Sequence, residues 1–139
     1  MRVVTSEVTL KTRGFNDTHD ITDRVAEAVE ASGLTDGVAV VFVPGSTAGL
    51  TSIEFEPGAV ADLAEAINRA APTDIPYAHD AAWGDGNGFS HVRAALIGAS
   101  LTVPFADGAL LLGTWQQSVL LDFDNRARSR RVVIQLMGQ

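Results

Sequence analysis

From Arg2 to Thr12 the chain alternates, with Val4, Ser6, Val8 and Leu10 on the more apolar face and Val3, Thr5, Glu7 and Thr9 on the other. A period of two predicts a strand. Past the turn formers Gly14, Asn16 and Asp17 the period lengthens, and Ile21, Val25, Ala28 and Val29 share one side of a helix that Asp20 can cap and Gly33 ends. Val38 to Val43 is apolar at every position, the pattern of a central strand covered on both faces. Val60, Leu63, Ala64 and Ile67 then mark a second amphipathic helix over residues 59–70, closed by Pro72. After a glycine-rich stretch the pattern predicts five short strands, at 91–97, 100–105, 109–112, 115–123 and 130–137. Turns of hairpin length join them, so they should pair antiparallel. The expectation is a single α+β domain over residues 1–139, a largely antiparallel sheet or sandwich of seven to eight strands with two main helices.

Composition narrows the classes of function. The chain is 46% hydrophobic and 19% charged, enough for one domain that buries roughly two thirds of its unfolded surface. It has no cysteine, which excludes disulfides, thiolate catalysis and the usual structural zinc sites, so any metal needs His, Asp or Glu ligands. A net charge of −7 repels a nucleic-acid backbone. No apolar run reaches the ~18 residues of a membrane span, and the first residues read as a strand rather than a signal peptide. The expectation is a soluble, cytoplasmic protein with neither nucleic-acid nor membrane partners. Arg126, Arg128, Arg130 and Arg131 nevertheless gather four of the ten basic residues into one segment.

Chemistry, if present, concentrates between Tyr77 and Gly98. His79 and His91 lie twelve positions apart, with Asp80, Asp85 and Asn87 between them in a stretch spaced by glycines. Two imidazoles and a carboxylate are the ligand set of an open divalent-metal site; the same pair could serve as general acid and base, or as a hydrogen-bonded loop anchor. Trp83 could stack on a flat heterocycle or plug the loop against the core. Pro44 to Thr51 is a loop of small and hydroxyl-bearing residues that can offer backbone N–H groups to an anion or form a tight turn. It lacks the Gly-Lys-Ser/Thr ending of a P-loop. The arginines could grip phosphate or form a solvated hairpin, and Arg128 and Arg130 would share one strand face. His19 reads as an exposed loop histidine.

The order of these pieces resembles the YjbQ family, also called secondary thiamine-phosphate synthase. Pro44-Gly45-Ser46-Thr47-Ala48, Tyr77-Ala78-His79-Asp80, Gly86-Asn87-Gly88 with Ser90-His91-Val92, Leu112-Gly113-Thr114-Trp115-Gln116-Gln117 and Asp122-Phe123-Asp124 before the arginines carry the likeness over nearly the whole chain. The resemblance implies a compact α+β fold, a homotrimer with sites near subunit boundaries, and a weak capacity to make thiamine phosphate from a pyrimidine pyrophosphate and a thiazole phosphate. Position by position, His79, Asn87, His91 and Glu54 match polar positions of the family, and Trp115 and Gln116 match its Trp-Gln. Gly45 departs from it, because a typical member has a histidine there, and Ile53 replaces an asparagine. A site of three imidazoles would keep only two here, leaving Asp85 or Glu54 to substitute.

The resulting expectation is a small-molecule enzyme that couples or processes phosphorylated heterocycles. His79, His91, Asn87 and Glu54 would be catalytic, and His79, His91 and Asp85 would hold a divalent ion, zinc or magnesium. Ser46, Thr47, Trp115, Gln116 and Arg128 would bind the small phosphorylated ligand. The alternatives are a trimeric ligand-binding protein with little catalysis and a metal-dependent phosphate-ester hydrolase.

Overall fold

Alternation at the amino terminus produces β1 (Arg2–Thr12), in which Val4, Ser6, Val8 and Leu10 face inward and the intervening residues face solvent. The computed structural model describes residues 1–139. The chain continues through β2 (Asp17–Asp20), α1 (Thr22–Ser32), β3 (Gly37–Phe42), β4 (Ala48–Ile53) and α2 (Pro57–Ala70). It ends with α3 (Ala78–Trp83), α4 (Gly88–Ile97), β5 (Ser100–Ala106), β6 (Ala109–Leu110), β7 (Gln117–Asp122) and β8 (Arg128–Gly138). The fold is α+β, with every strand pair antiparallel.

Two sheets result, ordered β1-β8-β3-β5-β6 and β2-β7-β4. The apolar run 38–43 becomes β3 at the centre of the larger sheet, with Val41 opposite Ile134 of β8. Ile21, Val25 and Val29, the stripe of α1, meet Leu50, Leu120, Ile134 and Leu136 in the main core. β7 is buried on both faces: Leu120 enters that core, whereas Val119 and Leu121 pack with Ile67 of α2, Ala94 of α4 and Phe123 in a second cluster. Thus α2 and α4 cover the side of the small sheet opposite α1.

Helix ends follow local chemistry. Gly33 closes α1 in the left-handed region, and the Asp20 carboxylate accepts from the Thr22 N–H at 3.0 Å. Glu56 caps α2 by accepting from the N–H groups of Gly58 and Ala59, with Pro57 in the first turn.

The structure corrects several sequence expectations. Residues 91–97 are not a strand but most of α4, because burial at Phe89, Ser90, Arg93 and Ala94, with Ile97 packed alongside, follows the helical period. The β-branched Val92 that suggests a strand is simply exposed. The glycine-rich stretch contains a further helix, α3, giving four helices rather than two main ones. The hydroxyl loop shortens, since Ala48 onward pairs with β7, and the turn residues 17–20 pair with β7 as β2. No helix is long and apolar enough to cross a membrane.

Candidate functional site

The two histidines lie on consecutive helices, and the segment between them brings them together. Gly84 ends α3 in the left-handed region, and the N–H of Gly88 donates to Asp80 Oδ1 at 2.8 Å, so a carboxylate from α3 holds the first turn of α4. Gly88 also permits close approach: a Cβ there would lie 2.6 Å from Tyr77 Cβ. Tyr77 is fixed in turn by its hydroxyl donating to the Pro72 carbonyl. The loop is tied down by Asn125, whose amide donates to the Asp85 carbonyl at 2.9 Å.

In this frame the rings of His79 and His91 lie 4.4 Å apart, tilted by 41°. His79 Nδ1 is 3.3 Å from Asp85 Oδ1 and 3.8 Å from Asp80 Oδ1, yet it is buried and has no aligned hydrogen-bond partner. One imidazole nitrogen and two carboxylates within 4.8 Å of one another form a donor set for a hard or borderline divalent ion, and an unsatisfied buried nitrogen fits that role. The closest set is therefore His79, Asp80 and Asp85. His91 lies tilted beside it and faces a different space.

That space is a cavity of about 360 Å³ lined by His91, Gly45, Ser46, Ala48, Ala95 and Gly98, among others. Beneath it lies a buried ionic network. Arg130 pairs with Asp122 through Nε at 2.6 Å and Nη2 at 2.9 Å, a two-pronged contact, and Nη2 also donates to Thr47 Oγ1 at 2.6 Å. Thr12 adds a hydroxyl bond to Asp122. Asp124, also fully buried, accepts from Arg128 Nε at 2.9 Å and from Thr47 at 3.0 Å. Asn87 stands between this network and the histidines: its amide nitrogen is 3.4 Å from Asp124 Oδ1, and the reversed amide would donate to Asp85 Oδ1 at 3.1 Å. Burial alone would raise the pKa of Asp122 and of Asp124, but the arginine, hydroxyl and backbone hydrogen bonds outweigh it and hold both below the ordinary carboxylate value.

The structure thus brings together His79, His91, Asp85 and Asn87, with Ser46 across the cavity. Thr47 is buried with its hydroxyl occupied, and Arg128 is engaged by Asp124. Glu54, Trp115 and Gln116 lie elsewhere. Six residues of β4 at about 3.3 Å each place Glu54 some 20 Å from the Gly45–Ser46 end. There Trp115, 72% exposed, and Phe55 share a cavity of about 380 Å³ with Asp20, Glu54 and Glu56. Gln116 braces its own loop, accepting from the Gly113 N–H and donating to Ser52 Oγ. Trp83 neither plugs the core nor touches the cavity walls; it is 77% exposed. His19 sits in β2, half-buried, 2.8 Å from Asp17 Oδ2.

Sequence reasoning names Asp80, Asp122, Asp124 and Arg130 but selects none of them individually as a site residue. A usable signal was present: charged residues two apart, Asp122 with Asp124 and Arg128 with Arg130, share strand faces beside otherwise apolar runs, which marks paired buried charges.

Comparison with known proteins places this geometry in a defined group. A family model described as UPF0047 protein YjbQ-like matches residues 6–139. A UPF0047 protein of Archaeoglobus fulgidus is 38% identical over 131 residues, covering 94% of this chain and 99% of the relative. One from Mycobacterium tuberculosis is 42% identical over 115 residues, 81% of this chain and 84% of its own. Among solved structures, a YbjQ-like protein of unknown function from Sulfolobus solfataricus superposes with a TM-score of 0.94 at 29% identity, covering 99% of both chains. A YjbQ/UPF0047 family protein from Clostridium acetobutylicum gives 0.87 at 36% identity, covering 95% of this chain and 99% of that one.

Proposed function

This chain belongs to the UPF0047 protein YjbQ-like family, and on that premise we propose that it is an enzyme of small phosphorylated heterocycles working at the face shared by His79 and His91. The observation that supports this reading is the pair of imidazoles in contact beside a buried, unpartnered Nδ1 and two carboxylates. In thiamine-phosphate formation the carbon–oxygen bond between the pyrimidine's methylene and pyrophosphate breaks, and pyrophosphate leaves with the electron pair. A carbon–nitrogen bond then forms from the thiazole nitrogen. The protein's task is to hold two rings in line and to stabilise the departing negative charge. His91, opening on the cavity, can donate a proton to a leaving oxygen. Asn87 would steady Asp85 with its amide reversed, and His79 with Asp80 and Asp85 would hold a divalent ion. Such an ion, zinc or magnesium, would supply positive charge to the phosphoryl oxygens.

Assembly as a homotrimer belongs to the same proposal. The exposed Trp115 and Phe55 at the far end of the small sheet suit a subunit contact, and Glu54 with Gln116 could reach the histidine face only from a neighbouring chain. Protein incubated with both precursors and magnesium should yield thiamine phosphate. No product above that of the His79→Ala/His91→Ala double variant refutes the activity, and a monomer in light scattering refutes the assembly.

One observation favours a second reading, a ligand-binding protein with little catalysis: His91 is the sole titratable side chain lining its cavity. Tight binding of a phosphorylated compound by protein purified without metal or turnover would support it.

A further inference from the structure

Arg130 is 8% exposed, yet only part of its guanidinium is used. Nε and Nη2 are committed to Asp122 and Thr47, whereas Nη1 has no hydrogen-bond partner in the chain. That free end faces Gly45, where a Cβ would lie 3.2 Å from Nη1, so the missing side chain is what leaves it open. A second, independent feature coincides. The backbone N–H groups of Gly45, Ser46 and Thr47 donate to no acceptor in the chain; Thr47 is buried, where a backbone donor is nearly always paired, and Gly45 and Ser46 present theirs at the open rim of the loop. Gly45 and Ser46 line the cavity of about 360 Å³, His91 stands on another wall, the remaining lining residues are alanines and a glycine, and no carboxylate faces it. In a chain of net charge −7, a hollow with free N–H donors and no acid is selective for an anion.

We infer that the Gly45–Ser46 loop and the free Nη1 of Arg130 form an oxyanion subsite that binds the phosphoryl group of a small phosphate ester or free phosphate. Arg130 can do this because Asp122 already fixes the guanidinium plane, so its outward N–H groups are presented without further ordering. Ser46 Oγ adds a donor, and His91 borders the rest of the bound molecule. The subsite gives the ligand of the proposed function its phosphate anchor, and rests on that reading only for the identity of the organic part.

The test uses the full-length protein stripped of metal with chelator and titrated with inorganic phosphate, following backbone amides and the Arg130 Nε–H by NMR. Saturable shifts are expected at Gly45, Ser46, Thr47 and Arg130. Ser46→Asp, an exposed position, puts a carboxylate into the anion-binding loop and should weaken phosphate binding at least tenfold without loss of folding. Arg130→Lys, which loses the fork, should weaken it similarly if it folds. Phenyl phosphate moving Ala95 and Ala99 in addition identifies an ester as the occupant, whereas shifts confined to 45–47 identify the free ion. Phosphate that leaves 45–47 unmoved, or binds Ser46→Asp equally, overturns the inference. Because no metal or turnover is involved, thiamine-phosphate formation with an unmoved loop would sink the subsite alone, and phosphate binding without that product would sink the activity alone.

Discussion

Gly88→Ala isolates the contact on which the histidine pair depends. Gly88 has ordinary helical geometry at the start of α4, so alanine costs nothing in backbone conformation and gains about 1 kcal/mol of helix propensity. Its Cβ, however, would lie 2.6 Å from Tyr77 Cβ, 3.0 Å from Asp80 Oδ1 and 3.1 Å from Tyr77 Cγ. Carbon atoms rest at about 3.5–4.0 Å, so α3 and α4 must separate by roughly 1 Å. Tyr77 cannot simply swing away, because its ring is anchored through the hydroxyl on Pro72. Overpacking of this kind costs about 1–3 kcal/mol, leaving a net destabilisation of about 0–2 kcal/mol. The displacement also lengthens the Gly88–Asp80 bond and moves His79 off His91. Urea unfolding measures the first effect, and cross-relaxation between the two imidazole rings measures the second. Gly84→Ala is the control: its left-handed conformation costs an alanine about 1–2 kcal/mol, but nothing lies within 4 Å of the added carbon. Gly84→Ala should therefore lose stability alone, and only Gly88→Ala should lose the ring contact. A Gly88→Ala protein with wild-type ring contact and stability would refute the account of how the loop positions the site.

Asp122→Ala leaves the buried Arg130 without its two-pronged partner and should cost about 3–5 kcal/mol in urea unfolding; a loss under about 1 kcal/mol would show the pair to be dispensable. Stability should also depend on acid in a defined direction. Asp122 and Asp124 titrate below their ordinary 3.8 when folded, so the unfolded chain takes up protons first as pH falls. Their contribution is whole above that value and is lost as pH drops through the lower folded values, which thermal melts between about pH 5 and pH 2 would register; a flat profile contradicts it.

Local pattern and long-range contact contributed differently to what could be read in advance. The alternation of β1, the stripe of α1 and the wholly apolar β3 are each set by the two faces of one segment, and those faces are visible as a period. α4 was misread because Phe89-Ser90 and Arg93-Ala94 bury a polar serine and a cation along with apolar residues. Arg93 is tolerated inside only because Asn68 and Ala71 at the end of α2 and Asn16 in the loop before β2 accept its N–H groups. No hydropathy pattern reports partners supplied from so far along the chain.

The same division runs through the site. Residue types and order alone marked out His79, Asp85, Asn87 and His91 as chemistry-bearing, along with the loop beginning at Gly45, because clustered titratable and hydroxyl groups beside glycines are legible without coordinates. Tertiary structure alone decided that the two imidazoles meet and that Arg128 is spent on Asp124 while Arg130 keeps one end free. It also decided that Glu54 and Trp115 stand at the opposite end of β4. The reason is geometric: a strand carries neighbours apart by about 3.3 Å per residue, whereas a turn built on Gly84, Gly86 and Gly88 folds distant residues into contact.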